Sequence, residues 1–328
     1  MKKALLVSLC AAAFAAAFAL PSAALAQDAY PTKPVSVVVP FSPGGISDVI
    51  GRPFVHSLGK ALKQSFLVEN RPGAGGGVGM AYASRAKPDG YTLMVALSSI
   101  SAIPAADRLF GRPPSYEIRQ FAPIALISAD PAFLVVRADS PWKSVKEFVD
   151  AAKANPGGIP YGSTGNYGTM HVGMEMFANA AGIKLNHIPY GGGGQQVAAI
   201  VGGQVQAITQ LPATIAGHVA GGRLRPLATF APARVAAFPD VPTMKELGYG
   251  EVEYFVWTGF FAPAATPPDI LATLRKGTRE AMQDPDFRSA MEKLRAPIVY
   301  KDADEFQAYL DADAKRLSAV IQKIGKVE

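Results

Sequence analysis

The chain predicts an α/β protein. Apolar, β-branched runs of strand length alternate with helix-length amphipathic stretches almost from end to end. Several of those runs stop in Gly-rich turns that open a helix. Hydrophobic residues make up 49% of the 328, enough for a sizeable core in one large or two medium domains. Such alternation argues for parallel sheets joined by crossover helices, with ligands held beyond the carboxyl ends of the strands.

The first strand is expected at Val35–Val39, followed by Pro40-Phe41-Ser42-Pro43-Gly44-Gly45-Ile46-Ser47-Asp48 and a helix over Ser47–Leu62. Pro53 removes a backbone donor inside that helix, so a bend or a late start is expected. A strand at Phe66–Glu69 leads through Gly73–Gly79 to a helix over Val78–Lys87 and a strand at Thr92–Ala96. A strand at Ala132–Val136 precedes a helix over Ser144–Ala154, whose start is read at Ser140-Pro141 with Glu147. Then come a strand at Tyr161, a helix over Thr169–Ala181 and strands at Leu185–Ile188, Ala207–Gln210 and Leu227–Phe230, with a helix over Gln195–Gly202 among them. Helices over Pro268–Met282, Pro285–Leu294 and Ala303–Ile324 close the chain. Candidate crossings between two domains are Ile127–Asp130 and Gly250–Tyr254.

The N-terminus reads as a secretory signal peptide over residues 1–26: Lys2 and Lys3, an apolar run from Ala4 to Leu20, and Ala24-Leu25-Ala26 as the cleavage site. The expected location is periplasmic. The single cysteine, Cys10, lies in that segment, so no disulfide, thiolate or cysteine-bound metal is expected in the mature chain. Without Lys2 and Lys3 there remain 30 basic and 26 acidic residues, a net charge of +4. The basic residues are scattered, which speaks against nucleic acid and suits small anions.

Three turns are anion-ready: Pro40–Asp48, Tyr161–Asn166 and Tyr190–Gly194. The first turn of a helix offers unpaired N–H groups and a partial positive charge. The four histidines (His56, His171, His187, His218) lack ligand spacing, no G-x-S-x-G elbow exists, and no lysine follows a Gly-rich turn as in a P-loop. No metal, cofactor or catalysis is expected.

Four motifs carry a resemblance: PFSPGGISDVIGR at Pro40–Arg52, VENRPGAGGGVG at Val68–Gly79 with PDGYTL at Pro88–Leu93, Pro189–Gly193 with GGQV at Gly202–Val205, and Phe261–Pro268. With them the chain resembles the Bug, or TctC, family of extracytoplasmic solute receptors of tripartite tricarboxylate transporters. The resemblance implies a type II periplasmic-binding-protein fold: two α/β lobes with a ligand cleft at the hinge. Lobe 1 is placed at 27–128 plus 252–328 and lobe 2 at 129–251. It also implies a monomer that hands a small carboxylate to membrane permease subunits. The rival readings are a ligand-loaded sensor that docks on a receptor kinase, and an exported hydrolase.

By that resemblance one carboxylate sits against Ser42, Gly44, Gly45 and Asp48, with Ser98 and Ser99 bordering the cleft. The second lobe offers Ser163, Thr164, Asn166, Tyr167, Thr169, Tyr190, Gly193, Gln195, Thr209 and Gln210. An aspartate would repel a carboxylate, so support of the turn is the better role for Asp48. Ser163 and Thr164 read as ligand donors or as turn formers, and Tyr167 as a cleft wall or a cover for the helix end. Gln195 and Gln210 either meet the far end of a ligand or face solvent. His171, Gly73–Gly79, Trp142 and Trp257 read as structural. The chain departs from the family in Tyr167-Gly168, where a Gly-Ser or Gly-Thr is usual, in Gly192, where a longer residue is common, and in a Thr209–Gly222 turn one residue longer.

Overall fold

The computed structural model describes residues 30–327; the signal-peptide reading and Cys10 lie outside the described residues. The sequence alternation resolves into two five-stranded mixed sheets. The first has the order β2-β1-β3-β10-β4, with β1 at Val35–Val39, β2 at Phe66–Asn70, β3 at Thr92–Leu97, β4 at Phe121–Pro131 and β10 at Phe255–Pro263. The second has the order β7-β6-β8-β5-β9, with β5 at Phe133–Arg137, β6 at Pro160–Ser163, β7 at Asn186–Pro189, β8 at Ala207–Gln210 and β9 at Leu224–Thr229.

The parallel sheets expected from the alternation carry antiparallel strands as well. β1 pairs in parallel with β2 and β3, and β6 with β7 and β8, but β10 runs antiparallel to β3 and β4, and β5 antiparallel to β8 and β9. The reversed strands are the ones that pass between the halves. β4 leaves the first sheet at Pro131 and β5 enters the second at Phe133, while the return follows Tyr254. Three backbone bonds lock this crossing: Ala132 N–H donates to the Tyr254 carbonyl (3.0 Å), Phe230 N–H to Ala132 (2.8 Å) and Tyr254 N–H to Phe230 (3.1 Å).

Helices cover both sheets: α1 (Ile46–Leu62), α2 (Gly77–Ser84), α3 (Ser99–Leu109), α4 (Val145–Ala154), α5 (Thr169–Ala181), α6 (Gly193–Val201), α7 (Pro212–Ala220), α8 (Pro268–Gln283), α9 (Pro285–Lys293) and α10 (Ala303–Ile324). α1 starts on time and runs through Pro53. The start of α4 is corrected from Ser140-Pro141 to Ser144, whose hydroxyl accepts the Glu147 N–H (3.2 Å) while the Glu147 carboxylate accepts the Ser144 N–H (3.2 Å). This reciprocal cap satisfies two orphan donors at once. Helices α3 and α7 and the strands β4 and β10 were not separated by the sequence pattern. In the core, Phe54 meets Phe260 and Phe287 edge-on at 5.1 and 6.1 Å, and the buried Trp257 indole donates to Asp313 (2.8 Å). Trp257 is thus core, as read.

Candidate functional site

The carboxyl ends of β1, β3 and β6 point the same way as the N-termini of the helices that follow them, so α1, α3 and α5 each aim a first turn at the crevice between the sheets. The turns of the two halves meet there. A Cβ on Gly45 would lie 3.2 Å from the Gly193 nitrogen, and one on Gly192 would lie 2.7 Å from the Ser42 nitrogen. At a second point a Cβ on Gly165 would lie 2.7 Å from the Gly75 nitrogen. Backbone can approach backbone this closely only where glycine supplies no Cβ.

Several turn amides expected to hold an anion are engaged within their own turns, because short polar side chains reach them first. Asp48 accepts the Gly44 N–H (3.0 Å) and is bound in turn by Arg52 (3.0 Å) and Asn70 (3.0 Å). Burial raises the Asp48 pKa, but the bonds from Arg52, Gly44 and Asn70 outweigh it and hold the carboxyl below its ordinary value. Asp48 therefore supports the turn as an anion. Gly165 N–H donates to Ser163 Oγ (3.1 Å) and Gly191 N–H to Gln195 Oε1 (2.8 Å).

Hydroxyls are left over. Ser42 Oγ, Ser47 Oγ, Ser98 Oγ, Ser99 Oγ, Ser101 Oγ and Thr169 Oγ1 are buried and have no hydrogen-bond partner in the protein. They stand at the first turns of α1, α3 and α5 or in the loop before α1. Ser98 lies beside the Tyr254 hydroxyl without a well-formed bond to it. An unpaired buried hydroxyl costs on the order of 1–3 kcal/mol, so a guest with acceptor atoms would find six donors at these three helix ends that the protein itself does not use. Ser47 and Ser101 were missed in the sequence; their signal was a serine within the first helical turn. No lysine or arginine is among these groups.

The second half divides its predicted residues. Ser163 Oγ lies 2.5 Å from His187 Nε2 and also binds Gly165, and Thr164 Oγ1 accepts the Met170 N–H (3.4 Å), so both form the turn. Thr209 donates to the Met170 carbonyl (2.5 Å). Gln210 donates to Gln196 Oε1 (3.1 Å), and Gln196 donates to the carbonyls of Gly162 (2.7 Å) and Thr209 (3.2 Å). Gln196 was also missed; it is fully buried and ties α6 to β6 and β8. Tyr190 packs over Gly162. Asn166 and Gln195 are exposed, and the Tyr167 hydroxyl binds the Gly325 carbonyl (2.9 Å) and the Val327 N–H (2.8 Å).

Behind this wall the His171 and His187 rings lie tilted to each other at 4.2 Å between centroids, and each stacks on Tyr161. Burial pushes their pKa values down to about 3 and about 4, with His187 adding to the shift of His171. His171 Nδ1 accepts the Tyr167 N–H (2.9 Å), which places the proton of the neutral ring on Nε2. Among the described residues no cluster of three or more His, Cys, Asp or Glu side chains could hold a metal.

Residues 50–326 match the family described as tripartite tricarboxylate transporter family receptor. The UPF0065 protein in the gbd 5' region of Cupriavidus necator is 34% identical over 94% of this chain and 92% of that protein. The solved periplasmic binding protein BugD is 30% identical, with a TM-score of 0.85 over 90% of this chain and 99% of its own. MatC from Rhodopseudomonas palustris, solved with bound malate, is 27% identical, with a TM-score of 0.84 over 89% and 99% of the two chains.

Proposed function

The chain belongs to the tripartite tricarboxylate transporter family of receptors, and from that membership we propose that it captures a small carboxylate and delivers it to membrane permease subunits. It is a solute-binding receptor and not an enzyme. Malate, the acid bound to MatC, is the first ligand class to consider. The observation that supports the reading is the set of unpartnered hydroxyls of Ser42, Ser47, Ser98, Ser99, Ser101 and Thr169 at the ends of α1, α3 and α5.

Hydroxyls and helix dipoles hold a carboxylate without burying an unpaired lysine or arginine. Each helix end contributes roughly 0.3–1 kcal/mol to that attraction. In this proposal lobe 1 comprises residues 27–128 plus 252–328 and lobe 2 residues 129–251, and they close about the Ala132–Phe230–Tyr254 crossing as one monomer in the periplasm. Closure excludes water and joins the donors of both halves around the anion. The binding set is then Ser42, Ser47, Ser98, Ser99, Ser101 and Thr169, with Gly45 and Gly193 in contact beside them, while Asp48, Ser163, Thr164, Thr209 and Gln210 shape the walls. A thermal-shift screen over organic acids, begun with malate, tests it: a true ligand raises the melting temperature with concentration. A panel of mono-, di- and tricarboxylates that leaves it unmoved would sink the proposal.

A further inference from the structure

Tyr167 is an unusual residue for its place. Its φ is 56°, a left-handed conformation that a bulky side chain reaches only at a cost and that glycine adopts freely. It stands two residues before α5, in the turn that leads to the unpartnered Thr169 hydroxyl. Strain at such a point persists only where surroundings hold it, and here they do.

The contacts that hold it come from the other half. The Tyr167 hydroxyl donates to the Gly325 carbonyl (2.9 Å) and accepts the Val327 N–H (2.8 Å), in the segment that follows α10. That helix packs chiefly on α3 and β4 of the first half and touches α5. Phe110, just past α3, meets the Tyr167 ring edge-on at 5.8 Å, and Arg112 and Lys326 cover the Phe110 ring at 4.9 and 5.6 Å. On its own side Tyr167 is fixed by its N–H bond to His171 Nδ1 and by the His171 ring at 5.3 Å. Gly165, two residues earlier, lies against Gly75 of the first half.

We propose that Tyr167 is a positioning residue: through the 325–327 segment it latches the turn ahead of α5 to the first half and holds the halves together before any ligand enters. The role rests on the two-lobe receptor reading, but it concerns the protein without ligand and does not depend on which acid is bound. The latch matters because a receptor that is already closed must open to load, so the Tyr167 bonds set how much of the ligand-free protein can accept a guest.

Spin labels at Lys87→Cys and Lys153→Cys, both exposed and on opposite halves, report the separation of the halves in ligand-free protein by pulsed dipolar spectroscopy. The unaltered latch gives a predominant short distance. Tyr167→Phe keeps the ring and removes both bonds, and Val327→Pro removes one donor. Each shifts the closed-to-open ratio toward open, by about fivefold for the loss of one such bond, and the double variant opens no further than Tyr167→Phe alone. A distance distribution unchanged by either variant, or strictly additive shifts in the double variant, would overturn the proposal.

Discussion

Gly45 and Gly193 lie backbone to backbone across the crevice: a Cβ on Gly45 would come within 3.2 Å of the Gly193 nitrogen. The two turns that the sequence marks as anion-ready are therefore also the surfaces on which the halves meet. At that point the two walls touch through glycine backbone, which leaves the neighbouring hydroxyls of Ser42 and Ser47 facing inward unpartnered.

This makes Gly192 a point at which closure can be blocked. Its φ of 166° is ordinary extended backbone, so alanine brings no backbone strain. The added methyl would nevertheless lie 2.7 Å from the Ser42 nitrogen. Gly192→Ala is expected to leave the melting temperature of ligand-free protein within a few degrees of the parent and to weaken ligand binding by about tenfold or more, equal to ~1.4 kcal/mol. Calorimetry with the best acid from the screen, alongside scattering of the loaded protein, checks both parts.

Unpartnered and partnered hydroxyls should behave oppositely. Ser98→Ala or Thr169→Ala removes a buried group that has no partner in the protein, so stability without ligand should hold or rise slightly. Binding should weaken by about 0.5–1.5 kcal/mol for each. Ser163→Ala leaves His187 Nε2 and the Gly165 N–H without their partner, and should lower stability by roughly 1–3 kcal/mol even when no ligand is present. Denaturant melts with and without ligand separate the two classes.

Asp130 predicts a loss of stability toward alkaline pH. The side chain is buried beside the crossing, and its hydrogen-bond partner, Ser128 Oγ at 3.5 Å, already donates to the Pro297 carbonyl (2.7 Å). Burial pushes the Asp130 pKa up to about 8, against roughly 3.9 in an unfolded chain. Between those values the folded state holds a proton that the unfolded chain has lost, so stability falls as pH rises. Asp130→Asn should lose this slope. Melting temperatures from pH 5 to 8.5 should show the variant gaining steadily on the parent.

The histidine pair predicts the opposite slope in acid. His171 and His187 are held neutral by burial, down to about 3 and about 4, while an unfolded histidine takes a proton near roughly 6.5. Below that value the unfolded chain binds protons that the folded one refuses, and stability falls as pH drops from about 6.5 toward 4. His187→Gln should flatten that fall. Circular dichroism melts across the range give the answer.

The layers of the fold were legible because strands such as Val35–Val39 and helices such as Thr169–Ala181 and Ala303–Ile324 are each carried by an unbroken local pattern. The hinge strands were not. β4 and β10 pair with each other across more than a hundred residues, and their reversed direction is fixed by that distant pairing and not by local composition. Within the site, the residue types at Ser42, Ser98, Ser99 and Thr169 could be read as donors from their place after strands. The sequence could not separate them from Ser163 or Thr209, because which hydroxyl is already spoken for depends on partners such as His187 and Met170 from other elements. Tyr167 was visible as a departure from the family, but its bonds to Gly325 and Val327 span about 160 residues.

If hydroxyls at three helix ends hold the carboxylate, they must touch it in the loaded protein. A crystal structure of the protein loaded with the best acid from the screen tests it most directly. A carboxylate oxygen should lie within hydrogen-bond distance of Ser98 or Ser99 on one side and of Thr169 on the other, with the Gly45–Gly193 contact kept. An acid seated elsewhere, or gripped by lysine or arginine while those hydroxyls stay unpaired, would contradict it.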